Sequence, residues 1–157
     1  MTRQSIERRL EVLEDIEAIK KLKARYALCC DTGYDADKIA ELFVENGVWD
    51  GGKNFGKYTG KEAIRKFFKD VPQIISFAVH NVINPIIEVK GSKATGIWNL
   101  FQTCTFVEGN RAIWGSARYD EEYVKVNGQW KFKKLRLTSN FWTPFEEGWV
   151  KRRMVGL

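Results

Sequence analysis

Between residues 8 and 30 the apolar side chains fall at Leu10, Leu13, Ile16, Ile19, Leu22, Tyr26 and Cys30, three or four apart, with Glu, Arg and Lys between them. That spacing predicts one long amphipathic helix. Thr32-Gly33 marks its end, glycine being common just past a helix C-terminus, and leaves Asp31 in the last turn. On an ideal helix Tyr26 and Asp31 would point about 140° apart, at about 100° per residue. A fraying last turn can close that angle. Asp35 is placed to cap a second helix running to Phe43, with Ile39, Leu42 and Phe43 turned inward. Asn46-Gly47 reads as a turn, Val48 and Trp49 as the start of a short strand, and residues 51–58 as an irregular hairpin. Thr59 with Glu62 three residues on has the form of a capping box, which predicts a third helix burying Ile64, Phe67 and Phe68.

Beyond residue 75 the period changes. The stretch SFAVHNVINPIIEV, residues 76–89, carries apolar and β-branched residues on both parities and is broken once by Pro85. It predicts a strand buried on both faces, with a bulge or an edge at the proline. Three more long strands are predicted over 93–106, 111–126 and 129–138, separated by Glu108-Gly109-Asn110 and Asn127-Gly128. Helices first and a meander afterwards imply an α+β fold, with three N-terminal helices on one face of a strongly curved antiparallel sheet. Alternation puts Trp98, Leu100, Gln102 and Cys104 on one side of their strand, and Gly115, Ala117 and Tyr119 on one side of the next. A buried glutamine or tyrosine needs a partner, so these positions suit either a core or a pocket wall with a few polar groups. No linker or repeat interrupts the 157 residues, and a single domain over 1–157 is expected.

Composition narrows the function classes. Ten Phe, six Trp and five Tyr suit a large core or an apolar cavity. The net charge of +6 is spread along the chain, apart from Lys131, Lys133 and Lys134 and the basic run 151–153. No nucleic-acid motif accompanies it, so a solvated face rather than a nucleic-acid partner is expected. No apolar run reaches membrane-spanning length and no signal-type apolar segment opens the chain, which points to no membrane partner and a cytoplasmic location. Cys29, Cys30 and Cys104 have neither disulfide-framework nor metal-ligand spacing, so free thiols and no metal site are expected. The absence of a glycine-rich phosphate loop points to no nucleotide cofactor. His80 is the single histidine. In an apolar run its ring N–H must find a partner, and a carboxylate that reaches it can tune it for proton transfer. A satisfied core histidine and a catalytic base are both open on this ground alone.

The helix stretch DIEAIKKLKARYALCCD, the VHN of the histidine strand, the segment YDEEYVKVNGQWKF and the NFWTPF near the end resemble, almost end to end, the SnoaL-like branch of the nuclear-transport-factor-2-like superfamily. The resemblance implies a conical α+β barrel with an active site at its mouth, and a homotrimer joined through outer sheet faces. It places the family's aspartate and histidine on Asp31 and His80. The tyrosine of dehydratase members falls on Tyr26, where dehydrochlorinase members carry lysine. Two positions depart from the pattern. Gln102 stands where a dehydratase member has an acid, and Leu135 and Ser139 are nearest to an arginine of the relatives, with Arg136 one residue off and hence on the opposite strand face. The implied function is a cofactor-independent lyase, of dehydratase or dehydrohalogenase type, acting on a small, apolar, cyclic substrate. His80 would be the base, Asp31 its orienting partner, and Tyr26 a donor to the leaving oxygen or a developing oxyanion. Trp49, Trp98, Leu100, Gln102, Tyr119, Leu135, Leu137 and Ser139 would shape the pocket, with residues 141–149 closing its mouth. Two alternatives stand beside it: an isomerase using the same base, and a non-catalytic small-molecule-binding protein.

Overall fold

In a computed structural model, which describes residues 3–155, the chain runs α1 (Arg3–Asp31), α2 (Ala36–Glu41), β1 (Phe43–Asp50), α3 (Gly52–Phe55), β2 (Lys57–Thr59), α4 (Lys61–Asp70), β3 (Ile75–Lys90), β4 (Lys93–Phe106), β5 (Arg111–Val126), β6 (Gln129–Pro144) and α5 (Gly148–Lys151). The six strands form one sheet in the order β2-β1-β6-β5-β4-β3. The fold is α+β, as the helix-then-meander pattern predicts, but the sheet does not close into a barrel. Its edges are β2 and β3, and β1 joins β6 in parallel, so the sheet is mixed rather than antiparallel throughout.

α1 buries Ile19, Leu22, Tyr26 and Cys30 against the sheet, lying mainly along β3. On the same side β4 turns in Ala94, Trp98, Leu100, Gln102, Cys104 and Phe106, while β5 turns in Ile113, Ala117, Tyr119, Glu121 and Tyr123. β6 adds Trp130, Phe132, Leu135, Leu137 and Trp142. The change from even to odd positions and back again in β6 follows two register shifts against β5, one between Glu122 and Tyr123 and one between Ser116 and Ala117.

Several local expectations are corrected. α2 ends at Glu41, and Phe43 opens β1. Asn46-Gly47 is not a turn but part of β1, where the register against β6 shifts between Phe43 and Val48. A Cβ on Gly47 would come within 2.9 Å of Phe43 Cβ and the Val44 carbonyl, so the irregularity needs glycine. Residues 51–58 form α3 and β2 rather than a plain hairpin. Thr59 does not cap α4: Gly60 is its N-cap, with no side-chain bond. The histidine strand β3 is a sheet edge, not a strand buried on both faces. Its outer side leaves Phe77 and Ile86 exposed, and the register shift between Ile83 and Ile86 falls at Pro85, where no N–H is available for the ladder. β6 continues past Thr138 to Pro144. No described helix is long and apolar enough to cross a membrane.

Candidate active site

The site begins where α1 stops. The helix runs through Asp31, after which Gly33 and Tyr34 both take positive φ, 91° and 57°. The reversed backbone lets Tyr34 N–H donate to the Cys30 carbonyl and Asp35 N–H to the Cys29 carbonyl, closing the helix end. Asp35 then caps α2 by accepting from Lys38 N–H, as its position predicts. Glycine takes this backbone freely, whereas a tyrosine there is held against a steric cost. The Tyr34 ring is buried, stacked on Phe68 and edge-on to His80.

Asp31, on the last turn, reaches β3. Its Oδ1 accepts the backbone N–H of His80 at 2.9 Å and lies 2.6 Å from His80 Nδ1. A carboxylate at Nδ1 holds the ring proton there and leaves the lone pair on Nε2. The His80 side chain is only 7% exposed, while that of Asp31 is 27% exposed at the outer end of the pair.

His80 faces a cavity of about 40 Å³ between the end of α1, α4 and the inner face of the sheet. That is room for one or two waters. A ring-sized ligand therefore requires the wall to give. The wall is chiefly aromatic. Trp49, Phe67 and Phe68 form one side, with Trp49 and Phe67 4.6 Å apart between ring centroids. Phe55 and Trp142, 5.4 Å apart, form another. Trp142 lies so close over Gly115 that a Cβ there would come within 2.7 Å of its ring. Val71, Ile75 and Leu137 complete the apolar lining.

The polar groups are few. Tyr26 accepts a hydrogen bond from Trp49 Nε1 at 2.9 Å, and its ring meets Tyr119 and Phe68 edge-on. Burial pushes the Tyr26, Tyr34 and Tyr119 hydroxyls up from the ordinary phenol range, so at neutral pH all three are protonated. The Cys30 thiol, also in the wall, is pushed up by burial. Gln102, 2% exposed, sits opposite His80 on the neighbouring strand and joins the lining.

Beneath the cavity a second polar group is fully packed. Lys23 Nζ lies 2.5 Å from Glu121 Oε1 and 3.2 Å from the centroid of the Tyr119 ring. The other Glu121 oxygen accepts from the Tyr123 hydroxyl, which itself accepts from Trp98 Nε1 at 2.9 Å. Burial lowers the Lys23 pKa, against the pull of Glu121. Among the described residues no group of three or more His, Cys, Asp or Glu comes together to hold a metal ion.

Of the residues singled out from the sequence, His80, Tyr26, Trp49, Gln102, Tyr119 and Leu137 line the cavity, and Asp31 stands behind His80. Four do not reach the wall. Leu100 and Leu135 are in the core, and Trp98 is tied to Tyr123. Ser139 accepts from Trp142 Nε1 at 3.0 Å. Arg136 pairs in register with Asp50 and Asp120 and does not line the cavity either. Of residues 141–149 only Trp142 lines it, while Phe141 and Trp149 stack on each other at 5.2 Å. Tyr34 and Phe55 are wall residues the sequence reading does not name, and Trp142 enters it only as part of the mouth-closing stretch 141–149. Only Tyr34 had a usable signal, three residues past Asp31 and directly after the glycine that ends the helix.

Known proteins share this frame. Gamma-hexachlorocyclohexane dehydrochlorinase of Sphingobium indicum is 27% identical over 138 residues, covering 84% of this chain and 88% of that protein. The crystal structure of a type 2 hexachlorocyclohexane dehydrochlorinase superposes with a TM-score of 0.79 at 27% identity, over 85% of this chain and 90% of the other. A type 3 enzyme from Novosphingobium barchaimii gives 0.76 at 28%, over 85% and 91%. The SnoaL-like domain itself matches residues 11–136, from the first helix to the strand that carries Leu135. With most of its length so matched and its fold shared with these enzymes, the chain belongs to the SnoaL-like domain family.

Proposed function

We propose that this protein is a lyase that removes a carbon-bound proton and expels a β leaving group from a small cyclic substrate, by acid–base chemistry of its own side chains. The observation that carries the reading is the 2.6 Å contact between Asp31 and His80 Nδ1 at the wall of an aromatic cavity. With Nδ1 engaged by Asp31, Nε2 is the ring nitrogen left to take a proton from whatever the cavity holds. His80 Nε2 takes the proton, and the C–H electron pair becomes the new C=C bond as the leaving group departs with its own bonding pair. A departing hydroxide takes a proton from Tyr26, whose phenolate is restored by the imidazolium, so that water is the net product and every group returns to its starting state. Asp31 stabilises the imidazolium in between. The family-level support is that relatives matching most of this chain are dehydrochlorinases, which are lyases.

The same base also suits an isomerase, which returns the proton to another carbon and loses no group. One assay separates the two. A panel of cyclic β-hydroxy and β-halo compounds is incubated in D₂O, following both release of water or halide and exchange of the carbon-bound hydrogen. Release of water or halide indicates the lyase, and a double-bond shift without release the isomerase. His80→Ala is expected to abolish both, and Asp31→Asn to cost about two to four orders of magnitude by holding the wrong tautomer. Tyr26→Phe should cost less, about 10²-fold, because the base remains. Turnover in His80→Ala equal to wild type would remove His80 as the base.

A further inference from the structure

The first helix has a second apolar side. Its inner side buries Ile19, Leu22, Tyr26 and Cys30, yet Ile6, Leu10 and Leu13 are 54%, 53% and 62% exposed. At about 100° per residue Leu10 and Leu13 stand across the helix from that inner stripe, although their spacing counts them with it. Positions 6, 10, 13, 17, 20, 24, 27 and 31, four and three apart in turn, form one seam down the outer side of α1. Its first part is large and apolar, with Ile6, Leu10 and Leu13. Its last part is small, with Ala24 and Ala27, and between the two lie Glu17 and Lys20, 3.8 Å apart and 56% and 45% exposed. Where the seam is small the surface is hollow. A groove of about 460 Å³ between α1 and β3 is lined by Ala24, Ala27 and Leu28, with Val82 across it, and runs to the outer side of Asp31 and His80.

We infer that this seam joins two copies of the chain, α1 against α1, antiparallel about a two-fold axis between Glu17 and Lys20. In that register Leu13 enters the hollow at the partner's Ala24, and Leu10 the hollow at the partner's Ala27, so large meets small at every apolar layer. Glu17 faces the partner's Lys20 and Lys20 the partner's Glu17, which makes two complementary charge contacts beside the axis. A parallel, in-register pair does the opposite. It sets Glu17 on the partner's Glu17, Lys20 on the partner's Lys20, and alanine on alanine where the helices leave a void. Self-complementarity about a two-fold is what an isologous contact requires, and the antiparallel register alone supplies it in both shape and charge. Residues 6–31 run roughly 38 Å, at 1.5 Å per residue, so the helices meet along most of their length. The far end of the seam brings the partner's Ile6 to the last turn of α1, over the side of Asp31 that is 27% exposed. Each copy thereby shields the other's Asp31–His80 pair from water. The contact lies on the helix and is independent of the outer face of the sheet.

Sedimentation velocity at micromolar concentration tests the pairing. Wild-type protein is expected to have at least twice the mass of Leu13→Glu, a substitution at an exposed position that should leave the circular dichroism spectrum unchanged. Ala24→Arg, which fills the hollow instead of removing the leucine, is expected to give the same smaller species. Glu17→Lys and Lys20→Glu are each expected to raise the dissociation constant at least about tenfold, because like-charge contacts replace attractive ones at both symmetry-related places. The double variant Glu17→Lys with Lys20→Glu restores every cross-helix pair and should return the constant to within about threefold of wild type. That restoration distinguishes a docked register from a general weakening of the helix. Equal masses for wild type and Leu13→Glu, or a charge swap that dissociates as far as either single reversal, would overturn the pairing. Association through the sheet alone gives the first of these results, since none of the four positions lies on the sheet.

Discussion

Lys23 offers a sharp test of how the floor of the site is held. Its side chain is 1% exposed and lies 2.5 Å from the carboxylate of Glu121, whose side chain is 0% exposed. Over the Tyr119 ring it also makes a close cation–π contact. Lys23→Met keeps the length of the side chain and removes the charge, leaving Glu121 with Tyr123 as its remaining partner. Leaving one member of a buried pair uncompensated costs about 3–5 kcal/mol. For a domain of this size that corresponds to a fall in Tm of about 6–20 °C, at about 2–4 °C per kcal/mol. The double variant Lys23→Met with Glu121→Leu removes both charges and strands only the Tyr123 hydroxyl, worth about 1–3 kcal/mol when buried. It should therefore be more stable than Lys23→Met alone, and far more stable than the sum of the two single losses. Urea unfolding followed by tryptophan fluorescence and by circular dichroism, over the full double-mutant cycle, gives the coupling energy directly. Single variants that each lose less than about 1 kcal/mol, or losses that simply add, would show that this pair does not hold the floor and would refute the reasoning.

Two further outcomes are expected. Tyr26, Tyr119 and Tyr123 have folded-state pKa values raised by burial above the ordinary 10.0, so the folded state keeps protons that the unfolded chain releases. Their contribution to stability is complete below pH 10 and is lost as pH rises beyond it. Urea midpoints should accordingly fall steeply above pH 10, and less steeply in Tyr119→Phe; an equal slope in that variant would contradict the assignment. On the outer sheet face Phe77, Ile86 and Ile97 are exposed beside the half-buried rings of Phe101 and Trp114, which lie 5.2 Å apart. A patch of this kind marks a contact, and we propose that it joins three copies of the chain; light scattering that gives a monomer at micromolar concentration would oppose this.

Periodicity alone carried the reading of much of this protein. A repeat of three and four residues identifies α1, and strict alternation identifies the inward faces of β4 and β5, because each pattern is a direct geometric consequence of the local backbone. Asn127-Gly128 and the Gly33 helix stop are equally local, since each depends on a few dihedral angles. Asp31 and His80 were named as a pair through family resemblance and the need of a buried imidazole for a partner. Their contact spans 49 positions, and only the packing of α1 along β3 makes it.

What the chain pattern misplaced depends on neighbours distant in sequence. β3 looks buried because its residues are apolar, yet whether a strand lies inside a sheet or at its edge is decided by the strands beside it. The parallel pairing of β1 with β6, and the open rather than closed sheet, likewise have no local signature. Leu135 and Ser139 share a parity and a register with the cavity-lining Leu137, but Leu135 is taken up by the core and Ser139 by Trp142 Nε1, while the register shift past Ser139 goes with Trp142 reaching the cavity. Tyr34 turns inward where two successive residues adopt left-handed backbone, and its edge-on contact with His80 is settled by where β3 lies. Local sequence determines which segments form helices and strands and which of their faces are apolar. Long-range packing determines which few polar groups share one cavity, because that depends on register and on relative placement that no short window of sequence contains.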